Sequence, residues 1–206
     1  MKNSTLCLLP VLLFAVTDIP AQVGLEQYLY LKNRKVETLV PIITYESPHI
    51  YVEARYNYEE NNTFSIYLGR SVSGKNKCEY SITPMIGFAM GQFSGVAAGA
   101  NATLAYQNIF FTTQIQYARS FHEVRDDFAF AWTDLTYQPA TWIYVGLSTQ
   151  QTVMPRASTF LSEQGIVVGF SIERWTFPMY YFMPIHEDQY FVLGINYNVH
   201  TSKRNK

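Results

Sequence analysis

The side chains best equipped for chemistry fall in two short polar stretches. Ser120 stands two residues before His122, with Glu123, Asp126 and Asp127 beyond it, and His186 is followed by Glu187 and Asp188. A hydroxyl, an imidazole and a carboxylate are the parts of an activated nucleophile, which on a lipid could cleave or transfer an acyl group. Members of such a triad usually come from separate elements, so closeness in sequence argues little, and neither Gly-x-Ser-x-Gly nor His-Glu-x-x-His occurs. The same imidazoles and acids could hold a divalent cation, or bridge through one to lipopolysaccharide, yet the spacing of a metal site is missing. Solvated loop charge is the simpler account. No catalytic residue, metal or other cofactor is assigned; a lipid-modifying enzyme and a loop-mediated binding or adhesion protein stand as alternatives to the reading that follows.

A second polar set runs through the chain with a regular pattern. Glu53, Arg55 and Asn57 alternate with Val52, Ala54, Tyr56 and Tyr58; Gln114 and Gln116 alternate with Ile115 and Tyr117; Asn196 and Asn198 alternate with Ile195, Tyr197 and Val199. A period of two marks an extended strand whose faces differ. Asn101, Asp134 and Glu173 fall on the same kind of face. If the apolar faces meet lipid, then Glu53, Arg55, Asn101, Gln114, Gln116, Asp134, Glu173 and Asn196 line an interior. That interior is either a packed network of ion pairs and hydrogen bonds or a narrow passage, and the passage favours cations because the acids outnumber Arg55. Gly69, Gly99, Gly146, Gly169 and Gly194 share the inner face and are expected to leave room there for water.

The elements needed to hold such faces are strands of roughly nine to eleven residues, the length that crosses a bilayer at a tilt. Alternation and turn residues predict them at 22–32, 36–45, 50–58, 63–69, 79–89, 96–106, 109–120, 128–137, 142–150, 165–173, 177–183 and 189–199, with turns at 46–49, 59–62, 73–76 and 107–108 and the longest break at 151–164. The expected fold is all-β, a closed antiparallel up-and-down transmembrane barrel of about twelve strands, with ten as the alternative. Connections near Asn76, Asn108, Pro139 and Trp175 fall at one end and are mostly short; those near Gly91, Glu123, Pro155 and Glu187 fall at the other and are longer or more charged. Tyr106, Tyr137, Trp142, Trp175 and Phe177 gather at the short-turn end, as an interfacial girdle would.

Composition agrees. Charged residues make up 15% of the 206 and aromatic residues 16%, so little surface is built for water. The net charge is −1 and no basic stripe occurs, which argues against nucleic acid. Residues 1–21 have a lysine at position 2, an apolar run from Leu6 to Val16 and Ala21 before a possible cut, the form of a signal peptide. The mature barrel would span 22–199, with a polar tail at 200–206. Cleavage removes Cys7 and leaves Cys78 alone, so no internal disulfide is expected.

These strands, over nearly all of the mature chain, resemble the bacterial outer-membrane β-barrel class. Gly194, Tyr197 and Val199 in the last strand look like that class's assembly signal, although Val199 stands where a terminal Phe is common and a tail follows. The resemblance implies an outer-membrane location and, as partners, outer-membrane lipid, lipopolysaccharide and the barrel-assembly machinery. The stretch 53–58 also resembles small barrels of Bacteroidota, a likeness that carries no activity.

Overall fold

The structure, a computed structural model, describes residues 21–122, 126–154 and 158–200, apart from the side chain of His200. The signal peptide expected at 1–21, all but Ala21, lies outside the described residues, as do Glu123, Pro155 and residues 201–206. Among the described residues thirteen strands form one sheet: β1 (Gln22–Lys32), β2 (Lys35–Glu46), β3 (Tyr51–Tyr56), β4 (Thr63–Gly69), β5 (Val72–Lys75), β6 (Glu79–Gly91), β7 (Gly95–Tyr106), β8 (Ile109–Ser120), β9 (Phe128–Ala140), β10 (Ile143–Met154), β11 (Thr159–Ile172), β12 (Trp175–Phe182) and β13 (Tyr190–His200). Each pairs antiparallel with its neighbours, β13 pairs with β1, and β4 pairs with β6, which closes the sheet.

β5 is not a separate stave. β4 pairs with β6 from Thr63↔Gly91 to Gly69↔Met85, and β5 resumes on the same edge from Val72↔Ile82 to Lys75↔Glu79. The barrel therefore has twelve staves, one of them broken at Arg70 and Ser71. Residues 73–75, expected as turn, belong to that continuation. A closed barrel leaves no long edge and satisfies its backbone internally, the condition for crossing a bilayer with strands.

The faces separate as period two requires. Ile86, Leu68, Ile43, Leu147 and Ile195 point outward and are exposed, Ile86 at 70%. Their counterparts Glu53, Arg55, Ser65, Gln116 and Ser148 point inward and are buried. Tyr106, Tyr137, Trp142 and Trp175 are exposed around the end where the chain enters, and Trp175 meets Tyr197 at 4.5 Å between ring centroids. The opposite end carries the loops between β3 and β4, β8 and β9, and β12 and β13.

The break expected at 151–164 is largely strand: β10 and β11 pair as far as Met154↔Thr159, and only residues 155–158 connect them. β12 accompanies β11 no further than Gly165↔Phe182, so the hairpin tip stands above its neighbour. Beyond the lipid belt neither face must be apolar, and the alternation that would have marked the strands is absent.

Candidate functional site in the barrel lumen

The site grows from one short strand and the loop after it. In β3, Tyr51, Glu53 and Arg55 point inward. Asn57 then takes a left-handed φ of 59°, which ends the alternation, and its side chain donates to the Leu39 carbonyl at 3.0 Å. The next two side chains enter the lumen. Tyr58, expected on the outer face with Tyr56, instead donates to Gln114, and Glu59 reaches the centre of the wall. On the neighbouring strand β4, Tyr67 lies over Gly87, where a Cβ would stand 2.4 Å from the ring. That glycine lets the Tyr67 hydroxyl reach Glu59 at 2.7 Å. Gly91, at φ 137° and against the Asn62 carbonyl, holds the loop's base where a side chain could not fit.

Arg55 is the hub. It is 1% exposed and donates through Nε to Glu53, through Nη1 to Gln116 at 2.8 Å, and pairs with Glu59 at 3.5 Å. The guanidinium lies between two rings, 4.4 Å from the centre of Tyr58 and 4.2 Å from that of Tyr67. Stacking and charge-assisted bonds of this kind suit a planar cation held out of water. Ser65 donates to Glu59 at 2.7 Å, and Tyr51 and Asn101 donate to Glu53.

Two cavities flank this crossbar. The one toward the chain's entry end has a volume of about 300 Å³ and is walled by Glu26, Glu53, Asp134, Trp132, Tyr28 and Tyr180, among others. The one toward the loop end is about 490 Å³ and includes Glu59, Glu60, Ser120, His122 and Asp126. Tyr58 lines both. Beside them lies an aromatic layer of Trp132, Tyr180, Phe182 and Tyr190, with Tyr28, Tyr30 and Tyr144 against it.

Of the residues expected to line the interior, Glu53, Arg55 and Gln116 form the crossbar, while Asn101, Gln114, Asp134 and Asn196 border the entry-side cavity. Glu173 does not join them. It sits exposed in the two-residue turn between β11 and β12 with φ 54°, where the chain has left the sheet. Two of the inner glycines do not hold open water space: Tyr144 covers Gly169, and Pro178 and Tyr28 cover Gly194. Glu26, Tyr58 and Glu59 were missed. Glu26 was legible, since it alternates with Leu25 and faces the lumen beside Tyr28; the entry of Tyr58 and Glu59 depends on one backbone angle at Asn57 and leaves no periodic trace. Tyr197 points outward onto Trp175, and Val199 pairs with Val23.

Among the described residues, Ser120, His122 and the acids near them are not arranged as a triad. The Ser120 hydroxyl accepts from the backbone N–H of His122 at 3.1 Å, and Asp127 accepts from the Ser120 backbone at 2.9 Å. His186 lies 3.6 Å from Asp188, whose carboxylate pairs with Lys32 at 2.9 Å. Among the described residues no three His, Cys, Asp or Glu side chains are grouped to hold a metal.

No protein-family model matches the chain, and no curated protein does. Solved structures do. The KdgM porin in complex with disordered oligogalacturonate aligns with a TM-score of 0.55 at 7% identity over 87% of this chain and 99% of that one. The NanC porin aligns at 0.55 and 7% over 87% and 100%, and the outer-membrane protein Omp33 of Acinetobacter baumannii at 0.50 and 12% over 89% and 100%. The likeness to Bacteroidota barrels gains no support from these. At such identities what is shared is architecture, and the chain has the closed antiparallel barrel fold of outer-membrane porins.

Proposed function

We propose that the protein is an integral barrel of the bacterial outer membrane that offers a narrow, cation-favouring passage and performs no catalysis. One observation carries this reading: two polar cavities lie on either side of a crossbar, and Tyr58 borders both. A ring of carboxylates attracts cations, and Glu26, Glu53 and Asp134 on one side with Glu59, Glu60 and Asp126 on the other supply it. The solute of the KdgM porin does not carry over, because oligogalacturonate is a polyanion and these walls are acidic. Export by the segment at 1–21, insertion by the assembly machinery through Gly194, Tyr197 and Val199, and contact of the outer belt with lipid and lipopolysaccharide belong to the same proposal.

The deep burial of Arg55 favours a second reading, a structural barrel closed by its own side chains. Swelling of proteoliposomes in isotonic solutes separates the two. Entry of small ammonium salts faster than their neutral analogues supports a passage; swelling no faster than in protein-free vesicles leaves the structural barrel.

A further inference from the structure

We infer that the entry-side cavity is a binding site for a small organic ammonium ion. The inference rests on the passage reading only for how the solute arrives. Two amides on the lining of this cavity hold buried oxygens without a donor, while the unpartnered donors Arg55 Nη2 and Gln116 Nε2 lie in the crossbar and not on the lining. Asn101 donates through Nδ2 to the Glu53 carboxylate at 3.1 Å, which fixes its amide orientation, and its Oδ1 is buried without a partner. The Tyr28 hydroxyl donates to Glu26 at 2.9 Å, so its oxygen accepts from Asn196 Nδ2 at 3.3 Å, and Asn196 Oδ1 is likewise left buried and unpartnered. On the cavity's own lining both such atoms are acceptors, and a buried acceptor without a donor costs free energy that a donor brought within its reach recovers.

The charges point the same way. Glu26 accepts from the neutral Tyr28, and Asp134 accepts from Ser148 at 2.6 Å, Tyr180 at 3.1 Å and Trp132 at 3.2 Å. Among the described residues no lysine or arginine lines the cavity, and Arg55 faces Glu53, Glu59 and Gln116 in the crossbar. Trp132, Tyr28, Tyr58 and Tyr180 supply aromatic walls, which hold a desolvated ammonium more readily than a neutral alcohol or an anion. A metal ion is the poorer fit, since the described acids are not grouped as ligands. At about 300 Å³ the space suits a small aliphatic amine rather than an oligomer.

The chain has three tryptophans, so Trp142→Phe with Trp175→Phe leaves Trp132, in the cavity wall, as the sole reporter. The detergent-purified double variant is titrated with n-butylammonium chloride, and separately with sodium butyrate and 1-butanol, while emission is followed. A saturable change is expected with the ammonium alone. Glu26→Gln, whose amide oxygen can still accept from Tyr28, should weaken it about ten-fold or more, the range of a lost charge-assisted bond. Thr44→Lys, which places an ammonium in the same cavity, should abolish the response while the heat-modifiable band keeps the folded mobility. The inference is overturned by an equal response to butanol or butyrate, by no saturable response, or by Glu26→Gln binding as tightly as its parent. Binding is read without a membrane, so a protein that binds but does not conduct refutes the passage and spares the site.

Discussion

Replacing Arg55 by methionine tests whether the crossbar is as tightly coupled as its geometry implies. The guanidinium is the cation that Glu53 and Glu59 face, and both acids have side chains no more than 2% exposed. Methionine keeps much of the aliphatic stem's volume and removes the charge. Two buried carboxylates are then left with neutral donors only, and breaking a buried pair from one side costs about 3–5 kcal/mol. Loss of the guanidinium from between Tyr58 and Tyr67 adds up to about 2 kcal/mol per ring, offset by the desolvation of arginine that is no longer needed. A net loss of about 3–5 kcal/mol is expected, read as a shift in the urea midpoint of the protein refolded in vesicles and followed by heat-shifted mobility. Adding Glu53→Gln and Glu59→Gln to Arg55→Met removes the stranded charges and should return stability to within about 2 kcal/mol of the parent. A loss below about 1 kcal/mol for the single substitution, or no recovery in the triple, would refute the crossbar as the coupled unit of the lumen.

Ile86→Arg places a charge near the middle of β6 on the lipid face and should cost about 2–4 kcal/mol by the same urea assay, whereas Thr44→Arg, beside the lumen acids, should change it far less. Equal costs would contradict the assignment of faces. Tyr197→Asp sets a carboxylate against Trp175 on the outer face of the closing strand and should abolish insertion into vesicles, while deletion of 201–206 should leave it intact. At the loop end, the hydrogen bond from Lys32 holds the Asp188 carboxyl below its ordinary range. A depressed acid stabilises the folded loop above its unfolded pKa of about 4 and loses that contribution as pH falls through the folded value. Proteolysis at 183–189 should therefore quicken at low pH in the parent. In Lys32→Ala this pH dependence should disappear, and its persistence would assign the effect to another group.

Much of the architecture was readable because lipid enforces it. In β13 the outward Phe191, Leu193 and Ile195 leave no choice of phase, and the same alternation placed Glu53, Arg55 and Gln116 inside. Legibility failed where that demand lapses. The tip of β10 and β11 clears its neighbour β12, so Gln151, Ser162 and Gln164 follow no apolar rhythm and read as loop. β5 hid behind Gly74 and a turn-like composition, yet its backbone only needs the edge of β6. Glu173 kept the phase of β11 on paper and lost it to a left-handed φ, and Tyr58 crossed to the inside for the same kind of reason at Asn57. Period two describes an unbroken strand, and a single positive φ is enough to reassign the next side chain.

The passage is tested most directly by single-channel recording in planar bilayers, with the purified protein and its Tyr58→Ala variant under a gradient of potassium chloride. Tyr58 borders both cavities and is anchored to Gln114, so its removal should join them. A small step whose reversal potential shows potassium preferred over chloride is expected from the parent, with a larger step of the same preference from Tyr58→Ala. Silence from both proteins, each shown folded by its heat-modifiable band, or a preference for chloride, would contradict a cation-favouring passage through this lumen.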